Sequence, residues 1–114
     1  MTDGMGISSS SDLVWDENPS LTHAEIAQAF EDYLGISNYM VVPDPNISSG
    51  IDHIDCWGKF LDVDKVLIRQ TTTSDPEYDE LEATAAYYAS QISSYGTPYQ
   101  VIRIYTPNDE PYSN

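Results

Sequence analysis

The order helix, glycine, apolar strand, proline occurs twice in this chain, and that repetition limits its fold more than any other feature. In the first copy Thr22 and Glu25 have the spacing of a capping box, and Ile26, Phe30, Tyr33 and Leu34 repeat at helical spacing. Gly35 then suits the left-handed position after a helix, and Tyr39-Met40-Val41-Val42 reads as a buried strand ended by Pro43. Ahead of that helix, Gly6-Ile7-Ser8-Ser9-Ser10 and Asp12-Leu13-Val14-Trp15 read as extended, with Asn18-Pro19-Ser20 as a turn.

The second copy begins with the strand Trp57-Gly58-Lys59-Phe60-Leu61, turns at Asp62-Val63-Asp64 and resumes as Lys65-Val66-Leu67-Ile68-Arg69. Ser74 or Asp75 can cap the longest helix, Pro76 fits its first turn, and Glu77, Asp79, Glu80 and Glu82 complement its N-terminal dipole. Tyr78, Leu81, Ala85, Tyr88 and Ile92 form its apolar stripe, Gly96 closes it, and the segment from Tyr99 to Tyr105 returns as a strand. The expectation is an α/β chain of two sub-units, approximately 1–49 and 50–114, within one segment spanning 1–114. Repetition at about sixty residues suggests modules of a larger assembly. Such units leave sheet edges and helix faces that a neighbour covers, so the isolated chain is expected to self-associate. Its close at Pro111-Tyr112-Ser113-Asn114, directly after a strand, is what a truncated or modular product would show.

A chain of 114 residues is one domain at most and buries roughly two-thirds of its surface. Four Lys+Arg against 19 Asp+Glu give a net charge of -15, which repels phosphate backbones and anionic membrane surfaces. No nucleic-acid or membrane partner is expected. The same charge favours encounter with cations, although a solvated acidic surface that aids solubility is the plainer account of it. The single cysteine, Cys56, excludes an intrachain disulfide and a four-cysteine zinc site. No apolar run approaches ~20 residues, and Met1 to Gly6 have neither a basic nor an apolar leader region. A leader, if the parent is exported, is expected outside these residues.

Chemistry concentrates in Gly50-Ile51-Asp52-His53-Ile54-Asp55-Cys56-Trp57. On a strand, residues two apart share a face, so His53 and Asp55 would project together while Asp52, Ile54 and Cys56 point the other way. A proton-transfer group would then stand beside a cation-binding group, which suits a guanidinium. The plainer alternative makes His53 a buried ring bonded to a carbonyl and Asp55 a turn cap. A metal site is a further alternative, but His23, the other histidine, falls in the first turn of a helix, and two ligands do not hold a catalytic zinc. A Cys56–His53 nucleophilic pair is opposed by the strand alternation.

The run Gly50-Ile51-Asp52-His53-Ile54-Asp55-Cys56-Trp57-Gly58-Lys59-Phe60-Leu61 resembles the central motif of the Porphyromonas-type peptidylarginine deiminases, within the guanidino-group-modifying superfamily that includes agmatine deiminases. Met1-Thr2-Asp3-Gly4-Met5-Gly6, Asn18-Pro19-Ser20-Leu21-Thr22, Val41-Val42-Pro43-Asp44-Pro45 and Pro111-Tyr112-Ser113-Asn114 are similar to segments in the same order there. The resemblance implies about two ββαβ blades of a five-bladed α/β propeller, the pentein fold. It implies that His53 protonates departing ammonia and later activates water, that Asp55 holds the guanidinium, that Asn114 lines the site, and that Ile51 packs against the substrate arm. The implied substrate is an arginine-containing peptide or protein, with agmatine as the alternative; the stretch Asp55-Cys56-Trp57-Gly58-Lys59 leans towards the former. No cofactor and no metal are implied, and a secreted bacterial parent is compatible with the resemblance.

The family's nucleophilic cysteine falls after the position matching Asn114, its second guanidinium-binding aspartate before the position matching Met1, and its Gly-Gly-Asn is absent. The expectation is therefore a segment of a deiminase catalytic domain that alone neither turns over nor strongly binds arginine. The alternative from another class is a non-catalytic acidic binding or assembly module.

Overall fold

Four serines in five positions make the first strand unusual, and their hydroxyls explain how it forms. In the computed structural model, which describes residues 1–46 and 53–106, β1 spans Ile7–Ser11 and Ser8, Ser9 and Ser11 are buried. A buried hydroxyl is costly unless bonded. The Ser8 hydroxyl donates to the Met1 carbonyl at 2.8 Å, Ser9 Oγ pairs with the Tyr88 hydroxyl at 2.7 Å, and Ser10 Oγ with that of Tyr39 at 2.5 Å.

β1 runs parallel to β2 (Asn38–Val42), with Ile7 opposite Asn38 and Ser11 opposite Val42. On the other edge of β1, Thr2 forms an antiparallel bridge with Ser8. The crossover passes through α1 (Leu13–Asp16) and α2 (His23–Leu34). The capping box of α2 is present, since Thr22 Oγ1 accepts from the Glu25 N–H while Glu25 accepts from that of Thr22, and Gly35 ends the helix at φ 69°. Ile26 is buried and Phe30 stacks on Tyr39 at 3.9 Å between ring centroids. Tyr33 and Leu34 are 86% and 65% exposed, so a two-stranded sheet covers only the near half of the expected stripe.

The second half has the order ββαβ. β3 (Gly58–Asp62) pairs antiparallel with β4 (Lys65–Gln70), and β5 (Gln100–Tyr105) lies parallel to β4 on its other side after the crossover helix α3 (Tyr78–Ser90). Leu81, Ala85 and Tyr88 of α3 join Val66, Ile68, Trp57 and Tyr99 in a core that also takes in Ile7, Met40 and Val42. One apolar core thus joins the two sheets.

Three expected elements differ. Asp12–Trp15 is not extended: Asp12 is helical, Trp15 N–H donates to the Asp12 carbonyl, and the Asn18 amide closes the turn on the Val14 carbonyl at 2.8 Å. A short apolar run such as Leu13-Val14-Trp15 fits a strand or a helix segment equally, because periodicity alone does not separate them. The helix of the second unit ends at Ser90 rather than Gly96, because the Ser90 hydroxyl takes the Tyr87 carbonyl at 2.6 Å and Gln91 is extended. Ile92, half exposed, instead bridges Pro98, and Gly96 (φ 78°) serves the tight turn between Ser93 and Thr97. At the other end Glu77 is the N-cap of α3, and Pro76 precedes the helix. Asp75 organises that lead-in by accepting from the Glu77 N–H and the Thr71 hydroxyl at 2.8 and 2.9 Å.

Candidate functional site

Ile54 and Trp57 stand three residues apart, and that spacing governs the shape of the site. Residues 54–56 form a 3₁₀ turn in which Cys56 N–H donates to the His53 carbonyl and Trp57 N–H to that of Ile54. Side chains three apart lie one above the other in such a turn. Trp57 is 2% exposed and Ile54 packs against the core, so the apolar pair faces inward and leaves His53 and Asp55 exposed. The expected strand through this stretch is therefore corrected for residues 54–56. Gly50, Ile51 and Asp52 lie outside the described residues, as does Asn114.

The turn still brings the two polar side chains to one place. His53, Ile54 and Asp55 line a shallow cavity of about 300 Å³ whose other wall is Ser10, Ser11, Leu13, Val14 and Glu17. That wall was not legible in the sequence, because it depends on the end of β1 and on α1 standing opposite a turn some forty residues later. Glu17 brings a further carboxylate to the cavity. The arrangement offers a solvent-facing imidazole and carboxylates to a cationic ligand.

Cys56 packs against the core, while His53, Ile54 and Asp55 line the cavity. A different observation bears on its reactivity. Burial pushes the Cys56 thiol up, and the Asp55 and Asp44 carboxylates push it the same way against the opposing pull of Arg69. The protonated thiol is the weak nucleophile. At the Met1 amine burial lowers the pKa, with Asp55 working against it. Among the described residues, no group of three or more His, Cys, Asp or Glu is placed to hold a metal ion. Also among them, no helix is long and apolar enough to cross a membrane.

Sequence reasoning missed the polar layer behind the site. Arg69 and Glu77 are buried together, with Nη1 3.1 Å from Oε2, and Arg69 Nη1 also donates to Asn46 Oδ1 at 2.8 Å. Glu77, expected on a solvated helix start, is instead the buried partner of a cation. The weak local signal was an arginine ending an otherwise apolar strand.

The fold is that of deiminases of known structure. The family model of the Porphyromonas-type peptidyl-arginine deiminases matches residues 2–114, and the chain belongs to that family. A Porphyromonas gingivalis protein assigned as an arginine deiminase superposes with a TM-score of 0.87 at 22% identity, over 96% of this chain and 34% of that one. The agmatine deiminase of Enterococcus faecalis gives 0.83 at 20% identity, over 95% and 31%, and that of C. jejuni 0.74 at 15%, over 94% and 31%. The chain thus spans about a third of the length of these structures.

Proposed function

We propose that this chain supplies the proton-transfer and part of the guanidinium-binding machinery of a protein-arginine deiminase whose remaining groups lie outside residues 1–114. The observation that carries this reading is the placement of His53 and Asp55 on one cavity, in a chain that matches the family over nearly its whole length. A guanidinium is planar, delocalised and always charged, so a carboxylate accepting its paired N–H groups both binds and orients it. Asp55 takes that role. A cysteine thiolate from outside these residues attacks the guanidinium carbon, and His53 protonates the nitrogen that leaves as ammonia. Water, deprotonated by His53, then attacks the thiouronium carbon; the carbon–sulfur bond breaks, freeing the thiolate and leaving a ureido group. Asn114 lines the same site and Ile51 packs on the substrate arm in this reading, and the two sheets form about two ββαβ blades of a five-bladed propeller.

The similarity to agmatine deiminases supports a second substrate, the free amine agmatine. Comparing citrulline release from an arginine peptide with carbamoylputrescine release from agmatine, by an enzyme of full family length carrying these residues, separates the two. In that enzyme His53→Asn is expected to lower kcat by roughly 10²- to 10⁴-fold. Turnover close to wild type would contradict the role given to His53.

A further inference from the structure

We propose that Arg69 positions the turn that carries His53 and Asp55 against the facing wall of their cavity. Its side chain is 8% exposed, and one residue serves two anchors. Nη1 donates to Asn46 Oδ1 at 2.8 Å ahead of the stretch, and the Arg69 N–H donates to the Trp57 carbonyl at 2.9 Å behind it. From Asn46 the bonds continue to the facing wall. The Asn46 N–H donates to Asp44 Oδ1 at 2.7 Å, and the Asp44 N–H to Asp12 Oδ1 at 3.2 Å, where Asp12 joins β1 to α1. Both walls of the cavity are thereby referred to one residue, the facing wall through its guanidinium and the turn through its backbone N–H.

Arg69 is itself held. Glu77 lies 3.1 Å from its Nη1, and Arg103 Nη2 donates to the Arg69 carbonyl at 3.0 Å and to Glu82 at 2.8 Å. A buried ion pair gains little over apolar packing of the same volume, so stability alone is a weak reason for one here. Fixed geometry is a better reason, because the buried Nη1 meets the Glu77 carboxylate and the Asn46 amide at once, at the full reach of an arginine stem. Arg69 does not line the cavity and acts through the turn. Its importance for catalysis rests on the roles proposed above for His53 and Asp55, but the positioning is measurable without turnover.

The chain has two histidines, so its imidazole NMR signals contain a site reporter, His53, and a second, His23, stacked on Trp15 at 3.7 Å. In chain 1–114, Asn46→Ala and Arg69→Lys are expected to shift the His53 ring signals. The His23 signals and near-UV circular dichroism stay as in wild type. Asn46→Ala leaves the Arg69–Glu77 pair in place, so it decides the matter if Arg69→Lys does not fold. Unchanged His53 signals in a folded Asn46→Ala chain would overturn the proposal, and so would equal movement of both histidines, which marks general loosening. Failure of the deiminase reading is seen separately, as absent turnover at full family length.

Discussion

Ser9 on β1 and Tyr88 on α3 stand 79 residues apart in the chain, yet their hydroxyls meet at 2.7 Å where each residue is 0% exposed. Tyr88→Phe leaves the Ser9 hydroxyl buried without that partner and is expected to cost about 1–2 kcal/mol in urea unfolding. Adding Ser9→Ala to it should cost less than the sum of the two single changes, because both partners are then gone. Burial also pushes the Tyr88 hydroxyl pKa up and that of Tyr99 up to about 12, from an ordinary value of 10.0. Folding therefore favours their neutral form. The stability they contribute is complete below pH 10 and falls as pH rises through 12, so tyrosinate absorbance should show these two ionising only as the chain unfolds. At this scale the meeting of His53 and Asp55 in one place was legible in the sequence, whereas the places of Arg69, Glu77 and Glu17 were not. Their partners lie far away along the chain, and no local spacing announces them.

The helix α2 was almost wholly legible, because its signals are local. Thr22, Glu25 and Gly35 act within one turn of its ends, and each makes the contact its residue type predicts. Thr22→Ala is expected to lower stability by about 1 kcal/mol. Gly35→Ala should cost roughly 1 kcal/mol as well, all of it from the left-handed backbone, since an added Cβ meets nothing within 4 Å. Thermal melts of the two variants test both. The end of α3 was misread because Gly96 looks like Gly35 in sequence, and only the Ser90 bond to the Tyr87 carbonyl distinguishes them. The turn at Ile54–Cys56 was misread for a related reason. Alternation of polar and apolar residues over Asp52 to Cys56 fits a strand, while the three-residue spacing of Ile54 and Trp57 fits the turn that forms, and the pull of Trp57 into the core decides between them.

Across the whole molecule, sheet edges and a half-covered α2 face accompany a net charge of -15. Mutual repulsion opposes association at low salt, and salt screens it over about 10 Å at 0.1 M. Size-exclusion elution of the isolated chain should therefore move to larger apparent mass as concentration and salt rise together, and a compact monomer throughout would count against exposed edges as the cause. The repeated order of helix, glycine, strand and proline did identify an α/β chain, although the second glycine serves a different turn. The chain spans about a third of the length of the compared structures, and in the function proposed above the rest of the site lies on other residues. The central claim is that Asp55 holds the substrate guanidinium. Its most direct test is citrulline release from an arginine peptide by an enzyme of full family length carrying Asp55→Asn. A loss of roughly 10²- to 10³-fold in kcat/KM, as for a charge-assisted pair deprived of one partner, is the predicted result. Retention of kcat/KM near the wild-type value would contradict it.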